Sequence, residues 1–189
     1  MPQLIKDGAL AADGYALLRE AAALADVPAG APAIVPLALW QRERSALLAR
    51  GDVGVLLAPA DDPAAIAADA ATLPVIAVDF PKFSDGRGFS IARLLRERYG
   101  FKGELRAVGD VLRDQLFALR ECGFDAFVIR GDRDATDALA SLHDFKSVYA
   151  PTTRTPQPWF RRRAAADPDE ALQAARVDAV VALLREVAA

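Results

Sequence analysis

The chain has one cysteine, Cys122, and one histidine, His143, in 189 residues. With that pair alone it cannot close an internal disulfide, ligate an iron–sulfur cluster through cysteine, or build a His/Cys zinc site by itself. Long apolar runs are missing too. No charge-free stretch approaches the ~18 residues a spanning helix needs, and the N-terminus MPQLIKDGAL lacks the basic-then-apolar layout of a signal peptide. A cytoplasmic location off the membrane is therefore expected. Nor is there a surplus of cations: a net charge of −3 and a pI near 5.2 argue against a general nucleic-acid binder, whose affinity comes from neutralising phosphates.

What is present is apolar material in quantity. At 53% hydrophobic and 26% charged residues the chain can bury a proper core, and one globular α/β domain is the expectation. Short β-type runs recur at 34–39 (IVPLAL), 53–59 (VGVLLAP), 74–80 (PVIAVDF), 104–110 (ELRAVGD), 126–130 (AFVIR) and 147–151 (SVYAP), separated by helix-like segments. That alternation marks parallel βα units. Asp62-Pro63 supplies a helix start, and Gly51, Gly100 and Gly123 fall where a left-handed helix end is wanted. Cys122, just before Gly123, reads as a buried small apolar residue, and His143 as a cation near a helix end. Asp7-Gly8 marks a hairpin.

The expected partition is a hairpin and helix over 1–33, βα repeats over 34–151, an extended proline-rich strap over 152–166 and a C-terminal helix over 167–189. A full (β/α)8 barrel usually needs at least ~200 residues. The expectation is thus a barrel-like, incomplete parallel domain, with an open sheet carrying helices on both faces as the alternative.

Five strand spacings run 19, 21, 30, 22 and 21 residues, so only the third unit is enlarged. Its excess is expected in the turn PKFSDGRGFS, at the carboxyl ends of the strands, where parallel α/β folds bind ligands. There Gly86 and Gly88 would let backbone approach an anion, Ser90 would cap the next helix, Asp85 completes the DGRG string, and Lys82 and Arg87 would add positive charge. Residues 79–113 hold eight Lys/Arg against five Asp/Glu, a basic segment in an acidic chain. The plainer alternative makes the glycines mere turn formers and Arg93, Arg96 and Arg98 a solvated helix face. DGRG is not a nucleotide fingerprint: it lacks GxxxxGK[ST] and the third glycine of GxGxxG.

Asp79 and Asp110 end strands on the same rim and are the candidate acid–base groups. Asp110 is read most simply as a helix N-cap, and Asp79 as a partly buried carboxylate needing a cation, with Arg87, Arg113 or Arg130 as the candidate partner of either. Such a network serves structure or catalysis equally well. At the other end of the chain, Trp159, Arg161 and Arg162 in WFRRR are candidate partner-binding residues, the alternative being a surface strap with snorkelling arginines.

The run FPKFSDGRGFSIARLLRERYGFKGELRAVGDVLRDQLFALRECGFDAF resembles the bacterial family known as domain of unknown function 934, often described as an oxidoreductase of sulfite reduction. The likeness covers residues 80–127 densely, and IVPLALW and VGVLLAP before it fit as well. It implies a place in assimilatory sulfate reduction, where members are commonly encoded beside sulfite reductase. The family's distinctive positions correspond to Asp85, Gly86, Arg87, Gly88, Ser90, Arg106, Gly109, Asp110, Asp114 and Gln115. A nicotinamide or flavin would have to be held without the usual glycine fingerprint, and no residue here specifies one. Three functions are expected in this order: an accessory protein of sulfite reduction that binds a small oxyanion or the reductase; an independent enzyme using Asp79 or Asp110 with Arg87 and Lys82 on an anionic substrate; and a scaffold without a ligand.

Overall fold

Asp7 and Gly8 both take positive φ, 51° and 79°, so the chain reverses in two residues between β1 (Gln3–Lys6) and β2 (Ala9–Ala11). The computed structural model describes residues 3–166, and the chain divides into two compact units, Met1–Phe145 and Lys146–Ala189.

In the first unit the strands continue with β3 (Ala16–Leu17), β4 (Ala33–Pro36), β5 (Val53–Leu57), β6 (Val75–Phe80), β7 (Glu104–Gly109) and β8 (Ala126–Ile129). Together they make one sheet in the order β2-β1-β8-β7-β6-β5-β4-β3. From β3 to β8 every neighbour is parallel and follows in sequence. A sheet that never reverses its strand order puts its right-handed crossovers on one side. The contacts agree. Val35, Val55, Leu57, Ile76, Val78, Phe80, Leu105 and Phe127 share one core with Trp40, Leu47, Ile91, Leu95, Leu116 and Leu119 of the helical segments. The opposite face holds a smaller cluster, Ile34, Leu56, Val75, Ala77 and Val108, packed against Tyr15, Leu17 and Val128. The result is a curled half-barrel whose edges, β2 and β3, do not pair with each other; the two-faced open sheet does not form.

Several expected elements differ. Residues 147–151 form no strand, and Tyr149 there is 78% exposed. The edge of β8 is taken instead by β1, which pairs with it antiparallel, Ile5 opposite Phe127. The run 34–39 is strand only to Pro36; its last residues open α1 (Leu37–Arg42), followed by α2 (Arg44–Arg50), which ends at Gly51 with φ 72°. Asp62 does start a helical segment, its carboxylate accepting the Ala64 N–H at 2.9 Å, but the segment is a short 3-10 helix, Pro63–Ile66. The helix expected within 1–33 is likewise only a 3-10 turn, Leu24–Asp26.

The enlarged third unit spends its extra residues differently from the sequence expectation. The connection after β6 is six residues, 81–86, an ordinary length. The excess lies in a long helical run, α3 (Arg87–Arg93) continued by a π-helical turn, Leu94–Arg98, that widens it. Of the three arginines read as a solvated face, Arg96 turns inward. Its guanidinium donates to the carbonyls of Phe101, Gly103 and Gly123 at 2.8–2.9 Å and to Asp125 at 2.6 Å. After β7 comes α4 (Arg113–Glu121) and after β8 comes α5 (Ala135–Ala140).

In the second unit, only part of 152–166 is extended: Trp159–Ala166 is a helix, α6, and the Trp159 N–H donates to Tyr149 O at 3.1 Å. The helix expected over 167–189 lies outside the described residues. Among the described residues no helix is long and apolar enough to cross a membrane.

Candidate functional site

Gly109 decides the geometry of the carboxyl-end rim. It closes β7 with φ 102°, and a Cβ there would stand 2.4 Å from Phe80 O and 2.8 Å from Asp79 Oδ1. Only a residue without a side chain lets β6 and β7 end this close together. The next residue, Asp110, is thereby aimed across the rim. Its Oδ2 accepts the Phe83 N–H at 3.0 Å and its Oδ1 accepts from Arg130 at 2.7 Å. It is not the N-cap of α4. That position belongs to Leu112, whose N–H is bound by the Gln115 side chain at 3.2 Å. The same Gln115, only 7% exposed, donates from Nε2 to Phe83 O at 3.1 Å.

Both backbone polar groups of Phe83 are therefore held by side chains from the neighbouring βα unit, while the residue itself stays 46% exposed. The loop around it is braced further. Gly88 lies under the Phe80 ring, which a Cβ would strike at 2.4 Å, so this glycine serves packing and not close approach of a ligand. Gly86, with nothing within 4 Å of a built Cβ, opens onto free space. Asp85 accepts both the Arg87 N–H and its guanidinium, at 2.7–3.2 Å, and this hydrogen bonding draws the Asp85 carboxyl below its ordinary range. Ser90 caps nothing: it sits inside α3. Lys82 is exposed on the same loop.

The pairings expected for the rim carboxylates are half met. Asp110 does pair with Arg130, whose guanidinium is also held by Asp132 at 2.6 Å; the two acids, Asp132 foremost, raise its pKa well above the ordinary value. Asp79 pairs with Arg19, at 2.6 Å, a residue the sequence reading did not single out. Arg19 follows β3, a strand two residues long that carries no recognisable pattern, so nothing in the sequence pointed to it. Arg113 binds neither strand-end acid but Asp137, at 2.7 Å. Two clefts flank the rim. One, of about 520 Å³, is lined by Leu17, Leu18, Arg19, Glu20, Ala21 and Asp26; the other, of about 250 Å³, by Leu112, Arg113, Asp114, Arg133, Asp134 and Asp137.

Behind the rim, on the concave face, Arg106 is 1% exposed and fully occupied. It donates to Glu104 at 2.6 Å and to Asp13 at 2.7 Å, and its guanidinium carbon lies 5.5 Å from the Tyr15 ring centre. Glu104 also binds Lys6 at 2.7 Å. This network pins the segment after the hairpin across the sheet. Burial pushes the Tyr15 hydroxyl and the Cys122 thiol up in pKa; Cys122 itself is half-buried, where a buried residue was expected.

In the second unit, Arg162 donates to the carbonyls of Gln157, at 3.0 Å, and Val148, and so is engaged in holding its own segment. Phe160 and Arg161 are exposed there, whereas Trp159 is half-buried. Among the described residues no group of three His, Cys, Asp or Glu could hold a metal ion.

The geometry defines a half-barrel α/β protein with a braced, arginine- and aspartate-lined rim at the carboxyl ends of its strands. Residues 54–160 match the family described as bacterial protein of unknown function (DUF934), and the chain belongs to that family. No curated protein and no solved structure matches it.

Proposed function

We propose that this protein is an accessory protein of assimilatory sulfite reduction that binds the sulfite reductase, and that it transfers no proton to or from a substrate of its own. The pathway rests on the resemblance of its signature run to a family encoded beside that reductase. The accessory role rests on one observation: the two strand-end acids are already committed. Asp110 spends both oxygens, on Arg130 and on the Phe83 N–H, and Asp79 is bound by Arg19 and packed against Gly109. A general base has to reach a substrate proton within hydrogen-bonding distance, and both Asp110 oxygens and Oδ1 of Asp79 are held in the protein's own contacts.

A second reading, binding of a small oxyanion such as sulfite, is favoured by Arg19 and Arg130, whose side chains are 39% and 37% exposed. An oxyanion could replace a carboxylate on either fork. Asp79→Asn tests the main reading. The variant is expected to keep co-purifying with sulfite reductase and to sustain sulfite-reducing flux in cells. Loss of flux by about a hundredfold, with association intact, would make the chain an enzyme in its own right.

A further inference from the structure

The long helical run from Arg87 to Arg98 accounts for the enlarged third unit, and its inner side is packed from Gly88 to Arg96. Ile91, Ala92 and Leu95 face the core. Its outer side is not a simple polar face. Ser90, Arg93, Leu94, Glu97 and Arg98 line an open groove of about 550 Å³, in which Leu94 is the one large apolar side chain and stays 38% exposed. At the N-terminal end of the same run stands Phe83, 46% exposed, its backbone clamped by Asp110 and Gln115. An exposed aromatic on a held backbone loses little freedom on being covered, which favours association. Rigid aromatic and arginine side chains are what dominate protein interfaces.

The charge around these two apolar points is net positive, although Arg87 pairs with Asp85 at 2.7 Å and Arg93 with Glu97 at 3.0 Å, which leaves Lys82, Arg98 and Lys102 as its excess. Lys82, Arg87, Arg93, Arg98 and Lys102 are all exposed, against two carboxylates, Asp85 and Glu97. The whole chain carries −3. We propose that this face is a docking surface for a partner protein, and that the partner presents an acidic strip with an apolar side chain that enters the groove beside Leu94. A nucleic acid fits less well, since Glu97 lies in the groove itself and Phe83 and Leu94 offer it no phosphate contact. This rests on the accessory reading above and assigns the contact to residues of the first unit and not to the WFRRR segment.

The test uses the full-length chain and sulfite reductase from the same organism. Wild type is expected to bind with an affinity that falls as salt is added. Leu94→Glu with Arg98→Glu is expected to weaken binding at least about tenfold, as is Phe83→Ala, with circular dichroism and thermal midpoint near wild type. Phe160→Ala with Arg161→Glu is expected to bind as wild type does. Carbodiimide coupling is expected to join Lys82 or Lys102 to Asp or Glu of the reductase. Should the groove variants misfold, Arg98→Glu alone, at an exposed position, carries the same expectation with a smaller loss. Wild type that fails to bind at any salt overturns the accessory reading and this inference with it. Equal binding by wild type and the groove and Phe83 variants overturns this surface alone. Cross-links running only between two copies of the chain, or back onto its own C-terminal residues, overturn the choice of partner.

Discussion

The carboxylate of Asp110 holds the backbone N–H of Phe83 at 3.0 Å across 27 residues of chain. One strand end thereby sets the conformation of the loop after its neighbour. Removing the acceptor with Asp110→Ala leaves that N–H to water and frees Arg130 from one of its two acids. The expected cost is about 1–2 kcal/mol of stability, together with markedly faster hydrogen exchange at the Phe83 amide. An unchanged exchange rate would show that the loop is held by something else.

The glycines of the rim are expected to separate sharply. Gly109→Ala meets Phe80 O at 2.4 Å and requires φ 102°, so it should cost about 2 kcal/mol or more. Gly86→Ala meets nothing within 4 Å and has an ordinary helical φ of −83°, so it should be neutral to slightly stabilising. Chemical denaturation of the two variants decides. A Gly86→Ala variant as damaged as Gly109→Ala would contradict the geometry.

Arg106→Met keeps the volume and removes the charge beneath Tyr15, leaving Asp13 and one side of Glu104 unpaired. The expected loss is on the order of 3 kcal/mol, and limited proteolysis should cut near Asp13 sooner than in wild type. Equal resistance would mean that the segment is pinned by Tyr15 and Leu17 alone.

Asp69 is 3% exposed and accepts from Trp40 Nε1 at 2.9 Å and from the Arg44 guanidinium, which holds its pKa below the ordinary carboxylate value. A depressed folded pKa means stability that is fully present above the unfolded-state value near ~3.9 and is lost as pH falls through the lower folded value. Asp69→Asn should remove that dependence. Its stability measured between pH 6 and about pH 3 is expected to fall less steeply than that of wild type. Parallel curves would refute the assignment.

Much of the core architecture was readable because strands and helix ends are written locally. The runs at 53–59, 74–80, 104–110 and 126–130 form strands at or within two residues of their expected bounds, and Asp7-Gly8 and Gly51 turn where their conformational freedom requires. The sixth run, SVYAP, had the composition of a strand and not the position. A strand forms only where an edge is open to it, and β1 fills that edge.

The rim was half readable. That Asp79 and Asp110 would end strands follows from apolar runs that stop at an acid, and that such acids want arginines follows from the cost of burying a bare charge. Which arginine each acid meets is another matter. Arg19 and Asp79 lie 60 residues apart, and Gln115 reaches Phe83 across 32. Nothing in either neighbourhood encodes the other, because periodicity and capping act over a few residues, whereas these pairs are created by strand order. Sequence alone pointed to a parallel, incomplete α/β barrel, with an open sheet as the alternative, and to a candidate rim at the carboxyl ends of its strands. Tertiary structure alone decided that the rim acids are self-paired, that the extra residues lengthen a helix instead of a turn, and that Phe83 is held outward, since each depends on where the sheet brings distant segments together.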